Sequence, residues 1–197
     1  SHPWDFTDEM IDTIAKYPNI MPSIHLPVQS GNTNILKLMG RRYTKEEYLT
    51  LFNKLKDKIK NVSISTDIIV GFPNETEEDF EESMETIKDI NFSKVHVFPY
   101  SKRNGTKAAR MTNHVDGNTK KERTKKLLKL SETLEENYYK QNIGKQEEIL
   151  IEKQEEGQAY GHTTNYLYLT LKGDYKENEI YKITITQDMI ENNKITV

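Results

Sequence analysis

The pattern of apolar and polar positions along the chain changes near residue 143. Before that point, short apolar runs alternate with longer segments whose apolar residues recur at helical spacing. The runs predict three strands, at 23–28, 62–70 and 94–99. The longer segments predict helices over 8–17, 34–39, 45–58 and 77–90. Strands and helices that alternate in this way form a parallel sheet with right-handed crossovers, and three strands are too few to close a barrel.

The clearest step in this pattern is the passage from the second strand to the helix that follows it. The apolar run ends at Gly71, a Pro-Asn turn comes next, and Thr76 can cap the following helix. Gly71 would let a ligand approach the backbone, and Glu75 would place a carboxylate near the start of the helix. Loops at the carboxyl ends of parallel strands hold the ligands of many α/β proteins. An ordinary connection has the same pattern, so both interpretations stay open.

A long basic helix separates the two patterns. Apolar residues at helical spacing predict it over 119–141. Its other face carries Lys120, Lys121, Arg123, Lys125, Lys126 and Lys129. The chain has a formal net charge of -3, yet segment 102–145 has an excess of seven basic groups and the segments on either side each have an excess of five acidic groups. A solvated helix face and a surface that follows an RNA backbone are the two interpretations of this run.

After Gly144 the apolar residues recur at every second position, which is typical of strands. The strands predicted are 147–152, 158–161, 166–171, 180–185 and 194–197. Five short strands favour a small antiparallel β-barrel of the oligonucleotide-binding kind. The predicted fold class is therefore α/β, a partial (βα) barrel with parallel strands followed by a small antiparallel β-barrel.

Composition excludes several classes of protein. The 197 residues contain no cysteine, which excludes disulfides and thiolate metal or cluster sites within the chain. There is no apolar run of the length (about 18 residues) that a membrane-spanning helix needs. The amino end has no signal-peptide layout, so a soluble, cytoplasmic protein is expected. The pattern also starts abruptly, and we expect the chain to be a piece of something longer.

Four segments resemble the radical S-adenosylmethionine (SAM) tRNA methylthiotransferases. They are 25–31 (HLPVQSG), 39–44 (MGRRYT), 66–75 (TDIIVGFPNE) and 100–106 (YSKRNGT), in the order and spacing of that family. The resemblance covers nearly the whole chain. It implies two domains, with 1–142 as the carboxyl-terminal part of a radical SAM barrel plus its trailing basic helix, and 143–197 as an RNA-binding TRAM domain. The family's cluster cysteines are absent here, so the fragment is expected to be inactive alone.

The resemblance implies a reaction and its cofactors. The family replaces the C2 hydrogen of an adenosine at tRNA position 37 with a methylthio group, using SAM and two [4Fe-4S] clusters whose ligands this chain lacks. Segments 92–101 and 161–166 resemble the enzymes that act on N6-threonylcarbamoyladenosine, which is the substrate expected here. Segment 1–90 resembles those that act on N6-isopentenyladenosine, the alternative. Further alternatives are a ribosomal-protein methylthiotransferase, a non-catalytic RNA-binding module and an aldolase-like α/β enzyme.

The resemblance and the positions at strand ends give candidate cofactor-binding residues. Gln29 and Ser30 are expected to hydrogen-bond the ribose or methionyl part of SAM, and Arg42 to pair with its carboxylate. Asp67 is expected to face the barrel interior or the ribose, while Gly71 clears space beside the adenine and Tyr100 contacts it. Structural roles remain open: Arg42 as a helix cap, Asp67 as a partner of a neighbouring strand and Tyr100 as a core residue.

The expected partner is the anticodon loop of tRNA, and no membrane is expected. The candidate RNA-binding residues are Arg103, Lys107, Arg110, Lys120, Lys121, Arg123, His162, Asn165 and Tyr166. An aromatic segment on a small barrel suits the stacking by which proteins recognise single-stranded RNA. No catalytic residue and no metal ligand is predicted in this chain. The open edge at strand 23–28 is expected to favour self-association.

Overall fold

The computed structural model describes residues 2–191, in which a parallel α/β unit precedes an antiparallel sheet. After a 3₁₀ turn at Pro3–Asp5, the parallel unit contains α1 (Asp8–Lys16), β1 (Ser23–His25), α2 (Thr33–Leu38), α3 (Lys45–Lys58), β2 (Ser63–Val70), α4 (Glu77–Ile90) and β3 (Lys94–Pro99). A 3₁₀ turn at Ala108–Arg110 leads to α5 (Gly117–Asn142). The second unit contains β4 (Gln146–Glu155), β5 (Gln158–Thr163), β6 (Tyr168–Lys172), β7 (Ile180–Thr184) and α6 (Gln187–Glu191).

The parallel sheet has the order β1-β2-β3, as the alternation of strands and helices predicts. Ile64 and Ile68 of β2 are buried in one core with Phe52 of α3 and Ile87 of α4. Because side chains alternate between the two faces of a strand, Ser65 and Asp67 lie on the face away from the helices, whereas Thr66 is buried on the same face as the isoleucines. The sheet therefore has an apolar face under helices and a more polar open face.

β1 is shorter than the predicted strand 23–28. Its ladder with β2 ends at His25, since Pro27 has no N–H to donate. The next residue bonds to a side chain instead, with the Val28 N–H donating to Thr66 Oγ1 at 2.9 Å. Pairing resumes as a single parallel bridge between Gln29 and Ile68.

Helices α3 and α4 have the bounds that the sequence predicts, because both begin with a reciprocal capping box. Thr44 and Glu47 form the box of α3, and Thr76 and Asp79 form that of α4. Each box satisfies two backbone N–H groups that the first turn of a helix leaves unpaired. α4 ends at Asn91, which adopts a left-handed conformation with a φ of 57°.

The antiparallel sheet has the order β6-β5-β4-β7 around a second core that includes Ile149, Ile151 and Leu169. Four of the five predicted strands are confirmed, with β6 starting at Tyr168 instead of 166 because Tyr166 lies in a turn with a φ of 66°. The strand predicted at 194–197 lies outside the described residues. The short helix α6 was not predicted. No helix within residues 2–191 is long and apolar enough to cross a membrane.

Gly161 allows β4 and β5 to pair closely, which gives a test of the second sheet. A Cβ at this position would lie 1.9 Å from the Leu150 carbonyl oxygen, so Gly161→Ala must displace backbone. We expect the free energy of unfolding, measured by urea titration, to fall by about 1–3 kcal/mol. Gly117→Ala is the matched control, since nothing lies within 4 Å of its added Cβ at the start of α5. Equal stability of the two variants would contradict this packing.

Candidate functional site

The carboxyl ends of the parallel strands bring three of the predicted cofactor residues to one edge. Gln29 follows β1 and bridges to Ile68 of β2. On the other side of β2, the Tyr100 N–H donates to the Val70 carbonyl at 2.7 Å, and Gly71 follows Val70 directly. Gln29, Gly71 and Tyr100 therefore lie side by side on what we call the carboxyl edge.

The side chain of Tyr100 packs against two other rings, and its hydroxyl has no hydrogen-bond partner among the described residues. Its ring meets Phe72 edge-on, with centroids 5.3 Å apart, and stacks on His114 at 6.0 Å. The hydroxyl is buried and has no hydrogen-bond partner among the described residues. Such groups are rare in native proteins and call for an explanation. Here the hydroxyl is a donor that a ligand at the carboxyl edge would satisfy.

Gly71 does not clear space for a ligand in the way that the sequence suggested. Its φ of 72° needs a glycine, but the side chain of Lys120 fills the position of the missing Cβ. Its N–H donates to both carboxylate oxygens of Glu75, at 3.0 and 3.1 Å. The turn after β2 is therefore closed by Glu75 of the same turn and by Lys120 of α5.

Arg123 lies in the interior and not on the basic face of α5. Its Nη1 donates to Glu75 Oε1 at 2.8 Å and its Nη2 to Glu77 Oε2 at 2.9 Å, and its side chain is 6% exposed. Burial raises the pKa of the Glu75 carboxyl, while the Gly71 N–H and the Arg123 guanidinium oppose that rise. Arg123 is therefore unavailable to a phosphate, which corrects its prediction as an RNA contact.

Ser30 also lies elsewhere than expected. Its hydroxyl is buried 3.2 Å from Ser83 Oγ of α4 and accepts the Asn32 N–H at 3.2 Å. The neighbouring Gly31 packs so closely that a Cβ would lie 2.8 Å from the Ser83 Cα. Ser30 therefore anchors its loop to α4 and has little capacity left for a cofactor.

Arg42 remains available at the surface. It is exposed, and it does not cap the preceding helix, because the C-cap of α2 is Met39. The next residue, Tyr43, is buried and its hydroxyl donates to the Val28 carbonyl at 3.1 Å. This bond holds Arg42 near the end of β1.

A polar cluster lies on the open face of the sheet, below the carboxyl edge. His25 Nε2 lies 3.3 Å from Asp67 Oδ2, and His25 Nδ1 lies 3.0 Å from Ser65 Oγ. The rings of His25 and His96 meet edge-on at 5.7 Å. Burial lowers the pKa of His96, and the carboxylate of Asp67 opposes the shift. Asp67 thus pairs with a residue of a neighbouring strand, which is the structural role that remained open for it. The sequence did not predict a role for either histidine.

The predicted RNA-binding residues divide between two regions. Arg103, Lys107 and Arg110 are exposed in the loop that follows the carboxyl edge. Lys120 is half-buried over the turn at Gly71, with its Nζ 3.5 Å from the Tyr100 carbonyl. Beyond it, α5 exposes a row that we call the basic stripe, Lys121, Lys125 and Lys129. Among the described residues, no ion pair includes a lysine of this stripe.

The second region is an aromatic platform on the antiparallel sheet, formed by His162, Tyr166 and Tyr168. The His162 ring stacks on Tyr166 at 4.5 Å and meets Tyr168 at 4.8 Å, while its Nδ1 lies 2.9 Å from Glu152 Oε1. Tyr166 is 66% exposed. Asn165, in contrast, is buried, and its amide donates to Asn142 Oδ1 of α5 at 3.2 Å. Asn165 therefore has a structural position and is not free to contact RNA.

The platform faces the amino ends of the parallel strands, opposite to the carboxyl edge. A cavity of about 260 Å³ separates the two sheets at this end. Its lining includes Ser23, Ser63, Lys94, Tyr139, His162 and Tyr166. The predicted RNA-binding residues are thus at two ends of the sheet, and α5 runs between them.

Comparison with known proteins gives one consistent family. Residues 1–87 match the model of the radical SAM superfamily. Proteins named tRNA-2-methylthio-N(6)-dimethylallyladenosine synthase are 47% identical over 88% of this chain in Staphylococcus epidermidis, 43% over 88% in Aquifex aeolicus and 55% over 66% in Staphylococcus aureus. The chain spans 34%, 39% and 25% of the length of those relatives, respectively.

A solved structure has a similar fold. Coproporphyrinogen III oxidase from Escherichia coli, a radical SAM enzyme, aligns with a TM-score of 0.58 and 14% identity, over 96% of this chain and 51% of that one. The match confirms the predicted radical SAM type of parallel sheet. The three relatives above are named for the dimethylallyl (isopentenyl) derivative of adenosine.

The buried ion pair predicts a pH-dependent loss of stability. Arg123→Met removes the cation beside Glu75, and we expect the free energy of unfolding to fall by about 3–5 kcal/mol. Without Arg123 the folded-state pKa of Glu75 rises further above its unfolded value of about 4.3, so the folded state binds the proton more tightly. Stability relative to the wild type is therefore lost as the pH rises above the unfolded value of about 4.3 and through the raised folded-state pKa, and it is restored as the pH falls below about 4.3.

Urea titrations over a series of pH values measure this loss. Lys126→Met is the control, because Lys126 pairs with Glu77 only at the exposed surface, and such pairs contribute little. A deficit in Arg123→Met that stayed constant with pH would show that Glu75 is not the group left uncompensated.

Proposed function

Since the chain is a homologue of the radical SAM tRNA methylthiotransferases over most of its length, we propose that the protein adds a methylthio group to C2 of N6-dimethylallyladenosine in tRNA. The observation that carries the proposal is the identity of 43–55% to three relatives named for that product. Segments 92–101 and 161–166 favoured threonylcarbamoyladenosine as the substrate, but none of those three names refers to it. The substrate assignment therefore follows the relatives.

The carboxyl edge is the proposed position of SAM. SAM, bound at an iron–sulfur cluster, supplies the one-electron chemistry that replacement of an aromatic hydrogen requires. Tyr100 fits a cofactor there because its buried hydroxyl lacks a partner among the described residues. Gln29, which is 9% exposed and lies across β2 from Tyr100, offers an amide, and Arg42 offers an exposed guanidinium suited to a carboxylate. Cluster ligands are not part of this proposal, because the chain has no cysteine.

The basic loop and the basic stripe are the proposed phosphate contacts. Arg103, Lys107 and Arg110 lie just beyond the carboxyl edge, where the reacting adenosine has to be presented. The exposed lysines of α5 continue the positive surface away from it. Phosphate contacts of this kind give affinity without sequence readout, so they position the RNA and leave base selection to other residues.

The aromatic platform is the proposed site of base stacking. Tyr166 has an exposed face, and stacking on aromatic side chains is the usual way in which proteins hold unpaired RNA bases. We also propose the domain division 1–142 and 143–197. It is supported by the two separate cores, although Tyr138 and Tyr139 at the end of α5 pack against the second core.

Modified nucleosides of tRNA test the function directly. Deletion of the gene that encodes this chain is expected to remove 2-methylthio-N6-dimethylallyladenosine from host tRNA and to leave N6-dimethylallyladenosine in its place. Mass spectrometry of digested tRNA, with the restored strain as control, measures both. The 2-methylthio derivative of threonylcarbamoyladenosine should be unchanged. Loss of that derivative instead would reinstate the other substrate, and no change in either would refute the tRNA assignment.

The salt dependence of RNA binding tests the basic stripe. Replacement of Lys121, Lys125 and Lys129 by Ala should weaken binding of an anticodon stem-loop and lower the slope of log affinity against log salt by about two. Fluorescence anisotropy over a salt series measures the slope. A triple variant of Lys16, Lys37 and Lys60, which are exposed on other elements, makes the same change in net charge. If both triple variants lose the same slope, net charge and not the stripe determines binding.

A further inference from the structure

Three side chains of the open face converge although they come from three different strands. His25 is on β1, Asp67 on β2 and His96 on β3, and Asp67 and His96 are direct partners in the parallel register. One potential ligand atom from each of the three side chains lies within 4.8 Å of the other two. We call these residues the interior cluster. Two imidazoles and one carboxylate form a ligand set that divalent transition metals prefer.

The distances in the interior cluster suit a small ion. Tetrahedral zinc with bonds of about 2.0–2.1 Å holds its ligand atoms about 3.3–3.4 Å apart. His25 Nε2 and Asp67 Oδ2 are already 3.3 Å apart. The nitrogen of His96 needs a shift of about 1.5 Å or less, since the ligand atoms lie within 4.8 Å.

A hydrogen bond to Ser65 orients the His25 ring for metal binding. Its Nδ1 lies 3.0 Å from Ser65 Oγ, two residues before Asp67 on β2. A metal-bound histidine usually donates its other ring N–H to an oxygen, which fixes the tautomer that presents a lone pair to the metal. Ser65 provides that oxygen, and Nε2 is left toward Asp67 and His96.

A simple ion pair would explain only part of this arrangement. The pair explains the positions of His25 and Asp67 but not that of His96. The imidazole of His96 makes no hydrogen bond among the described residues and meets the His25 ring edge-on. An ion between the three side chains gives all of them a partner.

We propose that His25, Asp67 and His96 bind one divalent transition-metal ion of the Zn²⁺ class. Three protein ligands leave the fourth position open, on the face of the sheet that lies away from the helices. The site needs no cysteine. It does not depend on the proposed activity.

Metal binding to the purified 197-residue chain, stripped with a chelator, tests the proposal. Zn²⁺ titrated in a calorimeter is expected to bind with a stoichiometry of one, and Co²⁺ is expected to give the visible absorption of a tetrahedral site. Asp67→Asn and His96→Gln should each weaken binding by about tenfold or more. His2→Gln is the control, because the contacts of His2 are with Trp4, Arg41 and Tyr43 and it does not line the cavity that His96 shares with His162.

A measurement on the unchanged chain avoids the possibility that a variant fails to fold. Zn²⁺ is expected to shift the ring resonances of His25 and His96 in histidine-selective NMR spectra and to leave those of His2 and His114, which lie outside the cavity that His96 lines, in place. Equal shifts of all five histidines would indicate non-specific binding and overturn the proposal. So would the absence of saturable binding, or binding that Asp67→Asn and His96→Gln leave unchanged.

Discussion

The ion pair between Arg123 and Glu75 fixes the relation between the parallel sheet and everything that follows it. Glu75 belongs to the turn after β2 and Arg123 to the second turn of α5, so the pair ties the helix to the carboxyl edge. Further along α5, Ser131 Oγ donates to a carbonyl of β3 at 2.8 Å. Near its end, the Tyr138 hydroxyl donates to the Asn165 carbonyl at 3.0 Å. Three contacts along its length thus fix α5 on the rest of the chain. The second sheet begins directly after its last turn.

Such a pair contributes more to placement than to net stability. Removal of two charges from water costs about as much as their attraction returns, so a buried ion pair is weak evidence for stability in itself. Arg123 nevertheless contacts two carboxylates at once, those of Glu75 and Glu77, which lie on either side of the cap of α4. A lysine has no planar fork and could not bridge them in the same geometry. The same Glu75 also satisfies the Gly71 N–H, so the turn and the helix depend on one carboxylate.

Features that depend on neighbouring residues could be predicted from the sequence, and those that depend on distant ones could not. The capping boxes at Thr44 and Thr76 involve residues three apart, and α3 and α4 have the predicted bounds. Arg123 looked like one more member of a basic face, because nothing in its own helix reveals that two carboxylates from α4 and its turn reach it. The interior cluster was missed for the same reason. His25 and His96 are 71 positions apart in the sequence, and only the register of three strands brings them together.

The position of α5 also determines how an RNA could reach both ends of the molecule. A helix of 26 residues is about 39 Å long, and the lysines of the basic stripe recur along it at about 6 Å. An RNA that enters the carboxyl edge and also stacks on the aromatic platform has to follow this helix, because the two sites lie at opposite ends of the parallel sheet. The stripe supplies charge, whereas Arg123 supplies the alignment that directs the charge from one site to the other. If the chain binds RNA as proposed, Arg123 would affect that binding without touching RNA, because it aligns α5 with the carboxyl edge and adds nothing to the exposed charge of the stripe.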